Sequence, residues 1–167
     1  MRKVSAHYYL RSDGSFGKRP IISLDCDGRI ASVVEKGDDF KEEPSLEYYP
    51  GILIPGFVAS IGRASKSLSK LVIVNGVLRL QQESELLSSE EYLKPWEILK
   101  QLSTASSSEY TLGHYLLKHT FQAAQLLEQA EWGVLRAGAN PGLLVLQNID
   151  LRNMALSPQS SFKIIQR

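Results

Sequence analysis

The sequence is poor in the residues on which most catalytic and metal sites depend. It has one cysteine, Cys26, and only three histidines, His7, His114 and His119. A single cysteine excludes an internal disulfide and fits a reducing compartment. Charge of one sign is also lacking: 19 basic residues stand against 18 acidic ones, so no net field draws the chain to nucleic acid or to an anionic membrane. No apolar run approaches the roughly 20 residues of a membrane span. The first ten residues hold no apolar core of the kind a signal peptide carries. These absences lead us to expect a soluble, cytoplasmic protein with neither a nucleic-acid nor a membrane partner.

Scarcity of histidine bears on metal chemistry directly. A catalytic metal needs at least three ligands converging on one ion. His7 lies in the first candidate strand, whereas His114 and His119 are five apart on a candidate helix, which separates them by about 140° around its axis. They cannot share a metal from one helical face. Gly17-Lys18-Arg19 fails as a phosphate loop, because Ser12 stands where the leading glycine belongs and Arg19 where the Ser/Thr belongs. Arg63, Lys66 and Lys70 form a cationic run without interleaved aromatics, which reads as a solvated loop rather than a phosphate or nucleic-acid site. The serines within 103–108 have no His/Asp partner pattern for nucleophilic catalysis. No catalytic, cofactor-binding or metal-binding residue is expected, and no cofactor or small-molecule substrate.

What the chain does have is a defined apolar centre. In Tyr48-Tyr49-Pro50-Gly51-Ile52-Leu53-Ile54-Pro55-Gly56-Phe57-Val58, two Pro-Gly pairs bracket three branched apolar residues. A run so short and apolar predicts a buried strand, entered and left by type II turns with glycine in the positive-φ position. Upstream, residues 3–10 alternate as a half-buried strand, and residues 11–17 read as a loop. Ile21–Leu24 and Ile30–Val34 flank an Asp-Gly turn at 25–28 as a hairpin. A short strand is also expected at 46–49.

Beyond residue 70 the period lengthens. Leu71, Val74 and Leu78 predict a helix to about Gln82, interrupted by Gly76. Ser88 and Glu91 have capping-box spacing ahead of a helix through Trp96, Leu99 and Leu102, with Pro95 kinking it or opening its main part. A third helix is expected over 111–130, its apolar face formed by Leu112, Leu116, Ala123 and Leu127. The chain closes with Gly133-Val134-Leu135-Arg136-Ala137-Gly138-Ala139-Asn140-Pro141-Gly142-Leu143-Leu144-Val145-Leu146 and a last candidate strand at 162–166.

Three of these stretches carry a resemblance. Asp27-Gly28-Arg29-Ile30, the Pro50–Phe57 segment and Gly133–Leu146 resemble, in the same order, the segments by which metal-dependent amidohydrolases build a small β domain, cross into a (β/α)8 barrel and return from it. Residues 116–127 resemble the last barrel helix of that family. Pro141-Gly142 departs from the family's usual Ala-Asp.

The resemblance implies a composite β-sandwich and a parent activity of metal-dependent hydrolysis of non-peptide C–N bonds, such as deamination. It also exposes what is missing. Val58-Ala59-Ser60-Ile61 replaces the family's His-x-His pair, and Ala64 falls where the metal-binding aspartate would be. A barrel alone takes roughly 250 residues, more than the 167 present. The expected protein is therefore α+β: a composite β domain (1–58 plus 132–167) with a helical insert (59–131) in place of the barrel. It is expected to be a non-catalytic, barrel-deleted relative, natural or engineered. The alternatives are a small self-associating interaction module, or a subunit whose barrel another chain supplies. With no barrel to cover them, Leu112, Leu116, Leu126 and Leu127 are expected to pair two copies into a homodimer.

Overall fold

A computed structural model describes residues 1–41, 43–62, 68–104 and 111–167. The described chain is α+β. Its main sheet contains β1 (Arg2–Leu10), β2 (Phe16–Lys18), β3 (Pro20–Leu24), β4 (Ile30–Glu35), β5 (Leu46–Pro55), β8 (Leu143–Gln147) and β9 (Ser161–Gln166). The order is β4-β3-β1-β5-β8-β9, with β2 paired to the end of β1. Strands from both ends of the chain thus share one sheet. β1 and β5 run parallel at its centre, and the other pairs are antiparallel.

The central apolar run behaves as its composition requires. Ile52 and Ile54 of β5, with Leu144 and Leu146 of β8, point into one core. Leu53, Leu143 and Val145 point into another. A strand buried on both faces has no polar face to alternate with, which is why Ile52-Leu53-Ile54 is continuously apolar. The second core also takes Ile22, Leu24, Ile30 and Ile165 from strands at opposite sides of the sheet. The sheet curls enough that a Cβ on Gly28, in the turn after β3, would lie 2.6 Å from the Gln166 side chain at the end of β9.

The expected entry turn at Pro50-Gly51 is not a turn. β5 runs straight through it, and the β1–β5 register slips between Ala6 and Tyr8. Across the slip, β1 advances three residues from Ala6 to Tyr9 while β5 advances four from Tyr49 to Leu53. In a regular strand an odd step such as Ala6 to Tyr9 would place the two on opposite faces, and the slip breaks that alternation in β1. Val4 and Ala6 therefore share the second core with Tyr9, and Leu10 joins the first. At Pro55-Gly56 the chain does leave the sheet, though Gly56 is not among the positive-φ glycines.

Beyond Gly56, β6 (Phe57–Ile61) leads through α1 (Leu68–Val74) to β7 (Val77–Gln82), and β6 and β7 form a separate two-stranded parallel sheet. The helix expected to reach Gln82 is thus corrected. It stops because Gly76 takes φ +81°, and its N–H caps back to the Ile73 carbonyl at 2.9 Å. Val77–Gln82 then extends beside β6. The expected loop at 11–17 gives up its last residues to β2.

α2 (Glu90–Leu93) and α3 (Pro95–Thr104) are separated at Lys94, with Pro95 opening the second. The capping box does not form. Ser89 is the N-cap and makes no side-chain cap bond. The Ser88 hydroxyl instead donates to the Glu85 carbonyl, and Glu91 turns to Lys118.

The third helix begins after Thr111, whose Oγ1 accepts from the His114 N–H at 3.3 Å. It comprises α4 (Leu112–Leu117), a π-helical turn (Lys118–Gln122) and α5 (Ala123–Leu126). It ends short of residue 130 because Glu128 takes φ +57° and Gln129 N–H reaches back to the Ala124 carbonyl at 2.9 Å. Leu116 and Leu127 are buried by the chain itself, in cores shared with Phe57 and Val58 of β6, while Leu126 is 55% exposed. Most of the apolar face expected to need a second copy is thus covered within one chain.

Candidate functional site

The three histidines occupy three different environments. His7 lies on β1 where the β1–β5 register slips, its Nδ1 accepting the Gly51 backbone N–H at 2.9 Å and its ring meeting Tyr48 edge-on. His114 is exposed on α4, with Nδ1 2.9 Å from Thr111 Oγ1. His119 lies in the π-helical turn and is fully buried. Among the described residues, no three His, Cys, Asp or Glu side chains gather as a metal-ligating group.

The most unusual cluster in the described chain surrounds His119. Tyr115, one turn earlier on the same helix, lies with its ring centroid 4.4 Å away. Tyr92 of α2 is at 4.9 Å, and Phe57 of β6 at 6.5 Å edge-on. Neither imidazole nitrogen has a hydrogen-bond partner. The nearest charge is Glu91, whose Oε1 stands 3.6 Å from Nε2 while bound to the Lys118 ammonium. Burial, only partly offset by Glu91, pushes the His119 pKa down to about 4. Burial also pushes the Tyr115 hydroxyl up, and that hydroxyl donates to the Pro95 carbonyl at 2.8 Å. At neutral pH the cluster holds a neutral imidazole in an aromatic cage. It can respond to protons, but it exposes no nucleophile or base to solvent.

In the sequence, His119 stands out only as an imidazole that cannot share a metal with His114. Its spacing to Tyr115, four residues apart on one helix face, was the available signal. The approach of Glu91 and Tyr92 depends on how α2 docks, which no local pattern encodes.

A half-open cavity of about 540 Å³ lies nearby, lined by Phe16, Leu99, Leu112, Tyr115, Met154 and Leu156 among others. His119 does not line it. A smaller one of about 280 Å³ includes His7, Gly51 and Asn148. Cys26 is exposed in the β3–β4 turn, where the Asp25 carboxylate accepts the N–H groups of Asp27 and Arg29 at 2.9 Å. Lys70 is exposed on α1. Arg63, Ala64, Lys66 and the serines Ser106, Ser107 and Ser108 lie outside the described residues. No described helix is long and apolar enough to cross a membrane.

No protein-family description and no curated protein matches the chain. Solved structures do. One is a protein from Bifidobacterium longum assigned as a prolidase, at 18% identity over 48% of this chain and 23% of that one, with a TM-score of 0.37. Another is an amidohydrolase from Brucella melitensis, at 14% identity over 64% of this chain and 20% of that one, with a TM-score of 0.33. The chain spans less than a quarter of the length of either structure.

Proposed function

We propose that the chain is a non-catalytic relative of the metal-dependent amidohydrolases, keeping the composite β domain without the metal site. One observation carries this reading. The two stretches with the strongest resemblance, Pro50–Phe57 and Gly133–Leu146, contribute neighbouring strands, with Ile52 opposite Leu146 and Ile54 opposite Leu144. Pairing of the exit segment with the re-entry segment is what a composite β domain of this kind would use, and it supports the reading. At the point where β6 should offer a His-x-His pair, the chain offers Val58, Ala59 and Ser60, all buried, and Ser60 Oγ accepts the Leu87 N–H at 2.8 Å. A side chain committed to closing a loop is not a metal ligand.

The test is elemental analysis of protein purified without a histidine tag and then dialysed against zinc, manganese or iron(II). A panel of cyclic amides and amino-heterocycles is assayed in parallel. The expected result is far less than one ion per chain and no C–N hydrolysis. About one ion per chain, or hydrolysis above the metal-only control, would overturn the reading.

A self-associating module is the second reading, resting on the exposed apolar residues Val74, Leu86 and Leu126. Light scattering tests it: a dimer that Leu126→Glu converts to monomer supports it, and a monomeric parent removes it.

A further inference from the structure

We propose that His119 is an acid-sensitive latch: the helix from Leu112 to Leu126 stays docked on α2 and β6 while this imidazole is neutral, and protonation releases it locally.

A proton reaching this ring would bring a charge that its surroundings compensate only in part. His119 is 0% exposed, and neither ring nitrogen is hydrogen-bonded. An imidazolium there would carry two N–H donors inside a cage of Phe57, Tyr92 and Tyr115. Nε2 has only the Glu91 carboxylate at 3.6 Å, beyond a normal hydrogen bond and already held by Lys118, and Nδ1 has no described acceptor. The charged and titratable groups facing it can be named element by element. From α2 come Glu91, at 3.6 Å, and the phenol of Tyr92; from its own helix come Lys118 and Tyr115. β6 presents Phe57, which cannot titrate.

Glu91 alone would favour the proton. Its carboxylate is already paired with Lys118, whose like charge opposes protonation, and both side chains are about 40% exposed to screening water. Burial outweighs this pair and holds the pKa near 4. The backbone around the ring is also the least regular part of the helix. A π-helical turn breaks the i to i−4 ladder between α4 and α5, and such turns recur at functional sites.

The sign follows from the two pKa values. An unfolded or undocked His119 titrates near 6.5, the docked one near 4. Between those values the open state binds more protons, so docking is strongest above pH 6.5 and weakens as pH falls toward 4. From pH 7 to pH 5 the opening equilibrium should grow about 20-fold. Opening would lift Ala123, Ala124 and Leu127 from Val58, the apolar cluster on the far side of β6.

Hydrogen exchange on the full chain at pH 7 and pH 5, corrected for intrinsic rates, tests the latch. Peptides covering 112–127 should gain exchange about 20-fold, while peptides from β1 and β3 stay unchanged. The His119→Phe variant should remove the gain. A gain that persists in that variant, an equal gain in β1, or no gain at all would overturn the proposal. Should His119→Phe fail to fold, the ring C–H resonance of His119 in the parent protein decides. A midpoint well below 6.5 supports the latch, and one at or above 6.5 sinks it.

Discussion

Gly51 donates its backbone N–H to Nδ1 of His7 at 2.9 Å, so that a side chain of β1 supplies a hydrogen bond to β5 at the bulge, where their register slips. Gly51 is buried, and Pro50 before it has no N–H to offer. This one bond therefore serves the bulge's central donor. Replacing His7 by Phe keeps a ring against Tyr48 and removes the acceptor. The stranded N–H should cost about 1–3 kcal/mol in urea unfolding. His7→Asn, which restores an oxygen acceptor, should recover part of the loss. Equal stability of parent and His7→Phe would show that water serves Gly51 instead.

Gly51 itself should tolerate no side chain. It adopts φ +132°, and a Cβ would stand 1.9 Å from the Leu146 carbonyl oxygen of β8. That neighbour is backbone in a central strand and cannot rotate away. Gly51→Ala must strain the residue and push apart two strands buried on both faces, and it should destabilise by at least about 3 kcal/mol. Gly37 is a fair control. It too has positive φ, but its Cβ would meet nothing within 4 Å, so Gly37→Ala should cost only about 1 kcal/mol.

These two residues show what the sequence displayed and what it hid. The apolar run Ile52–Ile54, the Asp-Gly hairpin and the α+β class were visible, because composition and turn chemistry act locally. The function of Pro50-Gly51 was not, since whether Pro-Gly makes a turn or a bulge depends on His7, 44 residues away. The strand at 77–82, where the sequence pattern predicts helix, has a similar origin. Val77, Leu78 and Leu80 suit either period, and pairing with β6 decides between them. At the His119 cluster, only Tyr115 was within local reach.

Acid should loosen the join between the two ends of the chain. Arg2 bonds Glu47 through Nε and Nη2, both at 2.8 Å, and reaches the Ile165 carbonyl of β9 through Nη1. The hydrogen bonds from Arg2, aided by Tyr49, lower the Glu47 pKa from 4.5 to about 2. A depressed carboxylate stabilises the fold above its unfolded pKa and loses that contribution as pH falls through the folded one. Glu47→Gln should thus be less stable than the parent above pH 4.5, with the two stability curves converging toward pH 2. The side chains are 34% and 44% exposed, so the difference should stay below about 1 kcal/mol. A constant offset across this window would mean that Glu47 acts by packing and not by charge.

Arg79 supplies the last prediction, because it joins the small sheet to the loop that returns to the large one. Its Nε donates to the Asn140 carbonyl at 2.6 Å, and Nη2 donates to Asn140 Oδ1. Half-buried, it meets no carboxylate among its described hydrogen-bond partners, and burial lowers its pKa. A half-buried cation with no described carboxylate bonded to it is held at a cost, which its fit to both oxygens of one residue offsets. Lysine has the charge without the two-pronged geometry. Arg79→Lys should lose about 1–2 kcal/mol, and Asn140→Ala, which removes Oδ1 alone, somewhat less. Combined, the two should cost less than their sum by at least about 0.5 kcal/mol, since they break the same contact. Strict additivity in the urea midpoints would separate the residues energetically.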